Sequence, residues 1–371
     1  MTSWFTAADG RLEDFRAVVE QQTDRSEFPH ATEVARNVLI YPGDLPDTTE
    51  VRAELARALM DGPGIVVFRG AFAADVVDRA TGVFTGLIAE ERETGRAGGD
   101  HFAQPGANDR VWGALDKFAL RDPAAFAAYY DNSTLALISA AWLGAGYQVT
   151  SQVNVVNPGG QAQVAHRDYH LGFMSDAQAS RFPAHVHLLS PVLTLQGAVA
   201  HVDMPVETGP TLYLPHSQKY APGYLAFHQP AFTAYFDRHH VQLPLAKGDA
   251  AFFNPALFHG AGTNRSADVR RMANLLQISS AFGRAMETVD RTAMCEALYP
   301  VLLGYEGSTA NVVAASAEGY AFPTNLDRDQ PIGGLAPPTQ AELMTQALAE
   351  RWDPPTFTKA VRDQENRRRA G

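Results

Sequence analysis

Between Gln148 and Phe282 the chain breaks into short runs: QVTSQVNVV, HVHLLSPVLTLQGAVAHV, TLYLP, VQLPL, AAFFNP and ANLLQIS, each bounded by turn residues. Brief apolar or alternating segments of this kind bury one or both faces as strands, so a succession of them predicts an all-β body for the middle of the chain. No internal repeat and no heptad run interrupts the series.

On either side the period changes. TEVRAELARALM, Thr49 to Met60, puts Val51, Leu55, Ala58 and Leu59 on one helical stripe, and Asp61-Gly62-Pro63-Gly64 stops it. The β-branched run Gly64 to Gly70 predicts a buried strand, Ala73 to Glu93 a helix, and Gly95 to Asp109 a loop of the kind that lines sites. Leu135 to Tyr147 reads as a buried helix and its end, being shorter than the roughly 20 residues of a bilayer span. After Phe282, helices are expected from Thr288 to Tyr299, where Pro300 stops the pattern, and from Gln340 to Arg351. The layout is a single domain, 1–371, mainly β with flanking helices, in which 1–60 and 283–371 are helical and loop extensions.

Charge narrows the partners. Asp plus Glu number 41 against 30 Lys plus Arg, a formal net charge of −11 that repels a phosphate backbone or an anionic membrane, so neither nucleic acid nor membrane is expected. The basic cluster Arg367 to Arg369 reads as a solvated tail. Cys295 is the one cysteine, which excludes an intramolecular disulfide and a Cys-rich metal site, and with no secretory pattern at the start the expected location is cytoplasmic. The flanking helices leave a homodimer interface open.

Within the β body, His166-Arg167-Asp168 follows the turn Asn157-Pro158-Gly159-Gly160. In an extended segment residues i and i+2 point to one side, so an imidazole and a carboxylate can converge on one ion. His259, 259 − 166 = 93 positions on, is the candidate third ligand. Two His and one carboxylate occupy one face of an octahedral ion and leave three positions open, which suits iron that must bind a bidentate oxoacid and then O₂. The oxoacid's carboxylate needs a buried cation. Arg270 and Arg271 follow His259, only one of two adjacent strand residues can face inward, and Arg270 is the favoured one. His201-Val202-Asp203 and the pair His185 and His187 are weaker rivals: Asp203 runs into a turn at Met204 to Pro210, and the pair has no nearby carboxylate.

Four pieces in order, Asp61 to Phe72, His166-Arg167-Asp168, Glu207-Thr208-Gly209-Pro210 through Lys219, and His259 to Ser266 followed by Arg270, resemble the phytanoyl-CoA dioxygenase family of Fe(II)/2-oxoglutarate-dependent oxygenases. The resemblance spans about 61–282 and implies a double-stranded β-helix (jelly-roll, cupin-like) core at about 148–282. It implies Fe(II), 2-oxoglutarate and O₂ as cofactor and cosubstrates, and hydroxylation or another oxidation of an unactivated C–H in a small molecule. Gln152 or Asn154 would by resemblance contact the metal-proximal end of 2-oxoglutarate. Ala261 stands where the family often has a hydroxyl, a contact Thr263 could supply, and His216 and Gln218 stand where it usually has Gly and His. Candidate substrate-lining residues are His101, Phe102, Arg110, Trp112, Tyr169 and His170. A cupin-type metal-binding or sensor protein, or a metal enzyme without an oxoacid, is the competing reading.

Overall fold

Val149, Val153 and Val155 alternate with Thr150, Gln152 and Asn154 along one strand, and this two-residue period organises the molecule. The computed structural model describes residues 3–94 and 108–370. Its strands in chain order are β1 (Glu33–Ala35), β2 (Val38–Pro42), β3 (Ile65–Arg69), β4 (Asn108–Val111), β5 (Gln148–Val156), β6 (Thr194–Ala200), β7 (Leu212–Leu214), β8 (Ala250–Phe253), β9 (Phe258–Gly260) and β10 (Arg271–Ser279). Eight form one sheet in the order β1-β2-β3-β8-β6-β10-β5-β4, antiparallel except for the β2–β3 pair, and β7 and β9 form a second, two-stranded sheet.

One face of the large sheet is covered by helices. Val66, Phe68, Val149, Val153, Leu195, Val199, Phe252, Leu276 and Ile278 enter a single apolar cluster with Leu55, Phe84, Phe118, Phe126, Ile138, Leu298 and Phe357 from the helices. Each fully buried Leu, Val or Phe there contributes about 1.5–3 kcal/mol. Gly197 shares this face with Leu195 and Val199, and an added Cβ there would stand 2.6 Å from the Phe252 ring. The opposite face, from Gln152 and Asn154 on β5 to Gln196, Ala198 and Ala200 on β6 and Arg271, Ala273, Leu275 and Gln277 on β10, lines a cavity with residues of the smaller sheet.

Helices carry far more of the chain than strands, which corrects the mainly-β expectation: this is a large mixed sheet with flanking helices. Thr49–Met60 is helical as expected, capped by the Thr48 side chain accepting from the Val51 amide, and Ala74–Glu93, Ser133–Leu143 and Gln340–Glu350 follow their patterns. Helix Arg291–Leu302 runs through Pro300 rather than stopping before it: the proline forfeits one backbone hydrogen bond in the last turn, and burial of Leu298, Tyr299 and Leu302 holds that turn in place. Residues 1–60 are more than helix and loop, for β1 and β2 extend the sheet edge. Inside the expected all-β stretch, Ala184–Leu189 and Pro230–His239 are helices, while VQLPL makes only isolated bridges at Val241 and Leu245. No described helix is long and apolar enough to cross a membrane.

Candidate metal centre

His166 and His259 meet because their backbones pair. The His166 amide donates to the His259 carbonyl at 2.9 Å and the His259 amide to that of His166 at 3.2 Å, while the Asp168 amide donates to the Pro255 carbonyl at 3.0 Å. The ring centroids of the two histidines lie 4.4 Å apart, and the donor atoms of His166, Asp168 and His259 all fall within 4.8 Å of one another. His166 Nε2 is 3.7 Å from Asp168 Oδ1, and His259 Nε2 is 3.3 Å from Asp168 Oδ2.

The tautomers are set by the chain itself. Nδ1 of His166 meets the Val164 carbonyl at 2.9 Å, and Nδ1 of His259 meets the Leu257 carbonyl at 2.8 Å. A carbonyl only accepts, so both Nδ1 atoms carry the proton and both Nε2 lone pairs are left for a common ion. Burial opposes charge on Asp168, but the neighbouring His166 and His259 rings and an amide hydrogen from Gln196 together hold the carboxyl well below the usual carboxylate range. Three neutral or anionic donors converging on one point form a facial set suited to a divalent transition metal.

Arg167, between the two ligands, points away from them. It is fully buried, stacks on Tyr224 and Phe258 at 5.0 and 5.1 Å, and donates to the Ser217 and Tyr220 carbonyls at 2.6 and 3.0 Å. Gly223 makes room for it, since a Cβ there would lie 2.0 Å from the guanidinium carbon. Ser217 is a second brace, its hydroxyl accepting from the Phe258 amide at 2.8 Å just before His259. Neither was singled out from sequence, since Arg167 sits between His166 and Asp168 in a polar stretch that gives no sign of burial. His216, where the resembled family has Gly, adopts a left-handed φ of 69°, the backbone geometry that favours Gly, with its ring bonded to the Gly62 carbonyl and the Thr23 hydroxyl. Gln218 donates to the Gly62 carbonyl at 2.9 Å.

The cavity beside the three ligands holds about 220 Å³. Arg271 lines it, 7% exposed, its guanidinium donating to the Thr208 and Gly262 carbonyls at 3.2 Å each. Among the described residues no carboxylate pairs with it, and burial pushes it down to about 10. Arg270 is the correction: its side chain lies on the helix-covered side, 51% exposed, bonded to Asp109 and Asn157 at 3.0 Å each. The strand period decides this, because Met272, Leu276 and Ile278 share Arg270's parity and face the helices, leaving Arg271 with Ala273, Leu275 and Gln277 on the cavity side.

Gln152, Asn154 and Ala261 line the cavity, as do Arg110 and Trp112, which stack at 4.6 Å. Thr263 does not: its hydroxyl accepts from the Ala162 amide at 3.0 Å. Tyr169 and His170 also turn away from it, in left-handed conformations at φ 64° and 44°, with His170 bonded to Ser190. His101 and Phe102 lie outside the described residues. The rival motif is structural: His201 is buried between the Thr81 and Tyr129 hydroxyls at 2.8 and 2.9 Å, and Asp203 caps the Lys247 amide. His187 is buried against Phe5 and the Ala179 carbonyl, and His185 is exposed.

"Dioxygenase cdmD" of Talaromyces verruculosus is 34% identical over 116 residues, 31% of this chain and 34% of its own length, so the chain spans about a third of that relative. Among solved structures, the non-heme alpha ketoglutarate dependent carbocyclase SnoK from nogalamycin biosynthesis aligns over 64% of this chain and 88% of its own at 20% identity and a TM-score of 0.45. AviO1 from Streptomyces viridochromogenes Tue57 aligns over 65% and 100% at 16% identity and a TM-score of 0.44. The sequence model of the phytanoyl-CoA dioxygenase (PhyH) family matches residues 60–272, more than half of the sequence, and the chain therefore belongs to that family of oxygenases.

Proposed function

We propose that the protein is a non-haem Fe(II)- and 2-oxoglutarate-dependent dioxygenase that oxidises a C–H bond of a small molecule, built on a double-stranded β-helix whose two walls are the large sheet and the β7–β9 pair. His166, Asp168 and His259 would hold the iron. The observation that carries the reading is Arg271, a buried guanidinium without a carboxylate partner among the described residues, lining the same cavity as the three ligands. A buried cation of this kind calls for an anion, and a guanidinium meets a carboxylate with two parallel hydrogen bonds.

The cavity wall supports a dicarboxylate. Ala198, Ala200 and Ala273 floor it between Arg271 and the metal ligands, and their small side chains leave the space that an elongated ligand needs. Arg271 would receive the far carboxylate and Gln152 or Asn154 the metal-proximal end, while Trp112, Phe173 and Met286 supply apolar walls for the substrate. Iron chelated by an oxoacid supplies, when bound, an oxidant strong enough for unactivated C–H bonds. The chain's part is to hold both Nε2 atoms unprotonated and to keep Asp168 ionised. Asp168 fills the third protein position, which favours hydroxylation or a variant such as desaturation or ring closure over halide transfer.

The test is production of succinate from 2-oxoglutarate in air by the purified protein supplied with Fe(II), followed by NMR. Succinate that disappears in Asp168→Ala and without Fe(II) is the expected outcome. Metal binding with no 2-oxoglutarate consumption in any condition would return the protein to the cupin-type reading.

A further inference from the structure

Asp168 reaches the metal position from a loop. The residues that follow it, Tyr169 and His170, hold φ values of 64° and 44°, a strained conformation for non-glycine residues. A carboxylate on such a segment needs a fixed point. Among the described residues, one non-ligand side chain hydrogen-bonds it: Gln196, whose Nε2 donates to Oδ2 of Asp168, the oxygen that also faces His259.

Gln196 is well placed for this task. It sits on β6, a central strand paired on both sides, with Gln277 of β10 and Phe253 of β8 as its register partners. Its side chain is 8% exposed. The amide orientation is forced, because an ionised carboxylate only accepts, so nitrogen must face Asp168 and Oε1 the other way. Oε1 is indeed buried with no partner of its own, so the hydrogen bond to Asp168 is the side chain's one polar attachment among the described residues.

We infer that Gln196 is a positioning residue for the metal centre: it fixes the Asp168 carboxylate from the rigid sheet, so that the aspartate offers one oxygen to the ion and cannot swing away with its loop. The inference rests on the metal reading of His166, Asp168 and His259. Hydrogen bonds of this type to metal ligands typically alter affinity about 10- to 100-fold.

The test compares Gln196→Met and Gln196→Asn with Gln277→Met in the full chain, titrated anaerobically with Fe(II) and, in parallel, with Co(II). Gln277→Met makes the same size change at the neighbouring register position without touching Asp168, and Gln196→Asn keeps an amide but withdraws it by one methylene, which guards against misfolding as the cause. The expected result is a dissociation constant for both ions raised about 10- to 100-fold in the two Gln196 variants, a changed visible spectrum of bound Co(II), and parent-like binding in Gln277→Met. Parent-like affinity and spectrum in the Gln196 variants overturn the inference, and so does an equal loss in all three, which would mean packing alone. A parent that binds neither ion overturns the metal reading itself, a result distinguishable from the others.

Discussion

Replacing Arg271 by Met separates the cosubstrate anchor from the metal site. Burial holds this guanidinium at about 10; against an ordinary arginine at roughly 12.5, that is about 3 kcal/mol of desolvation its two carbonyl contacts leave uncompensated. A bound carboxylate would relieve it through charge-assisted hydrogen bonds worth about 1.5–3 kcal/mol, so its loss should weaken 2-oxoglutarate binding roughly 10- to 150-fold. Arg270→Met is the internal control, since it removes only exposed contacts to Asp109 and Asn157 worth about 0–1 kcal/mol. Calorimetric titration of 2-oxoglutarate into protein loaded with Mn(II) reads both variants. Arg271→Met should also leave the free protein as stable as the parent or more so, because a buried unpaired charge has been removed. Equal affinity in parent and Arg271→Met, or a larger loss in Arg270→Met, would refute the assignment.

Other consequences follow from packing and ionisation. Gly223→Ala places a methyl against the Arg167 guanidinium and should cost about 1–3 kcal/mol in urea melts, with weaker Fe(II) binding because Arg167 lies between two ligands; unchanged melting would remove Arg167 as an anchor. Ala200→Leu should fill the alanine-floored part of the cavity, leaving Fe(II) titrations intact while abolishing the heat of 2-oxoglutarate binding. Burial lowers His201 to about 3, with Asp78 opposing only weakly. The unfolded chain therefore takes up a proton that the folded one refuses as pH falls below about 6.5, and stability drops by up to ~1.4 kcal/mol per pH unit until about pH 3. Urea melts at pH 7.5 and 5.5 should show a smaller acid loss for His201→Gln than for the parent, and equal losses would count against a neutral, buried His201.

What the sequence revealed, and what it hid, follows from side-chain parity. The pair His166 and Asp168 was legible because i and i+2 share a side, and β5, β8 and β10 because their runs are bounded by turns. Arg270 and Arg271 could have been sorted the same way: Met272, Leu276 and Ile278 mark the apolar face of β10, and Arg271 has the opposite parity. HVHLL alternates like a strand, but it is one short helix behind Pro183, burying only His187. The loop-to-sheet contact between Asp168 and Gln196 had no local signal, because it depends on the pairing of β6 with β8 and β10. The same holds for β1 and β2, short segments that become strands by docking on β3.

One ion held by His166, Asp168 and His259 should take 2-oxoglutarate into the same cavity. Anaerobic titration of metal-free protein with Fe(II) and then 2-oxoglutarate tests it directly, through the weak visible charge-transfer band of facial-triad iron chelated by an oxoacid. The expected result is a band in the parent, none in His166→Ala and a weakened one in Arg271→Met. Fe(II) bound at the parent site with no band at saturating 2-oxoglutarate would contradict it.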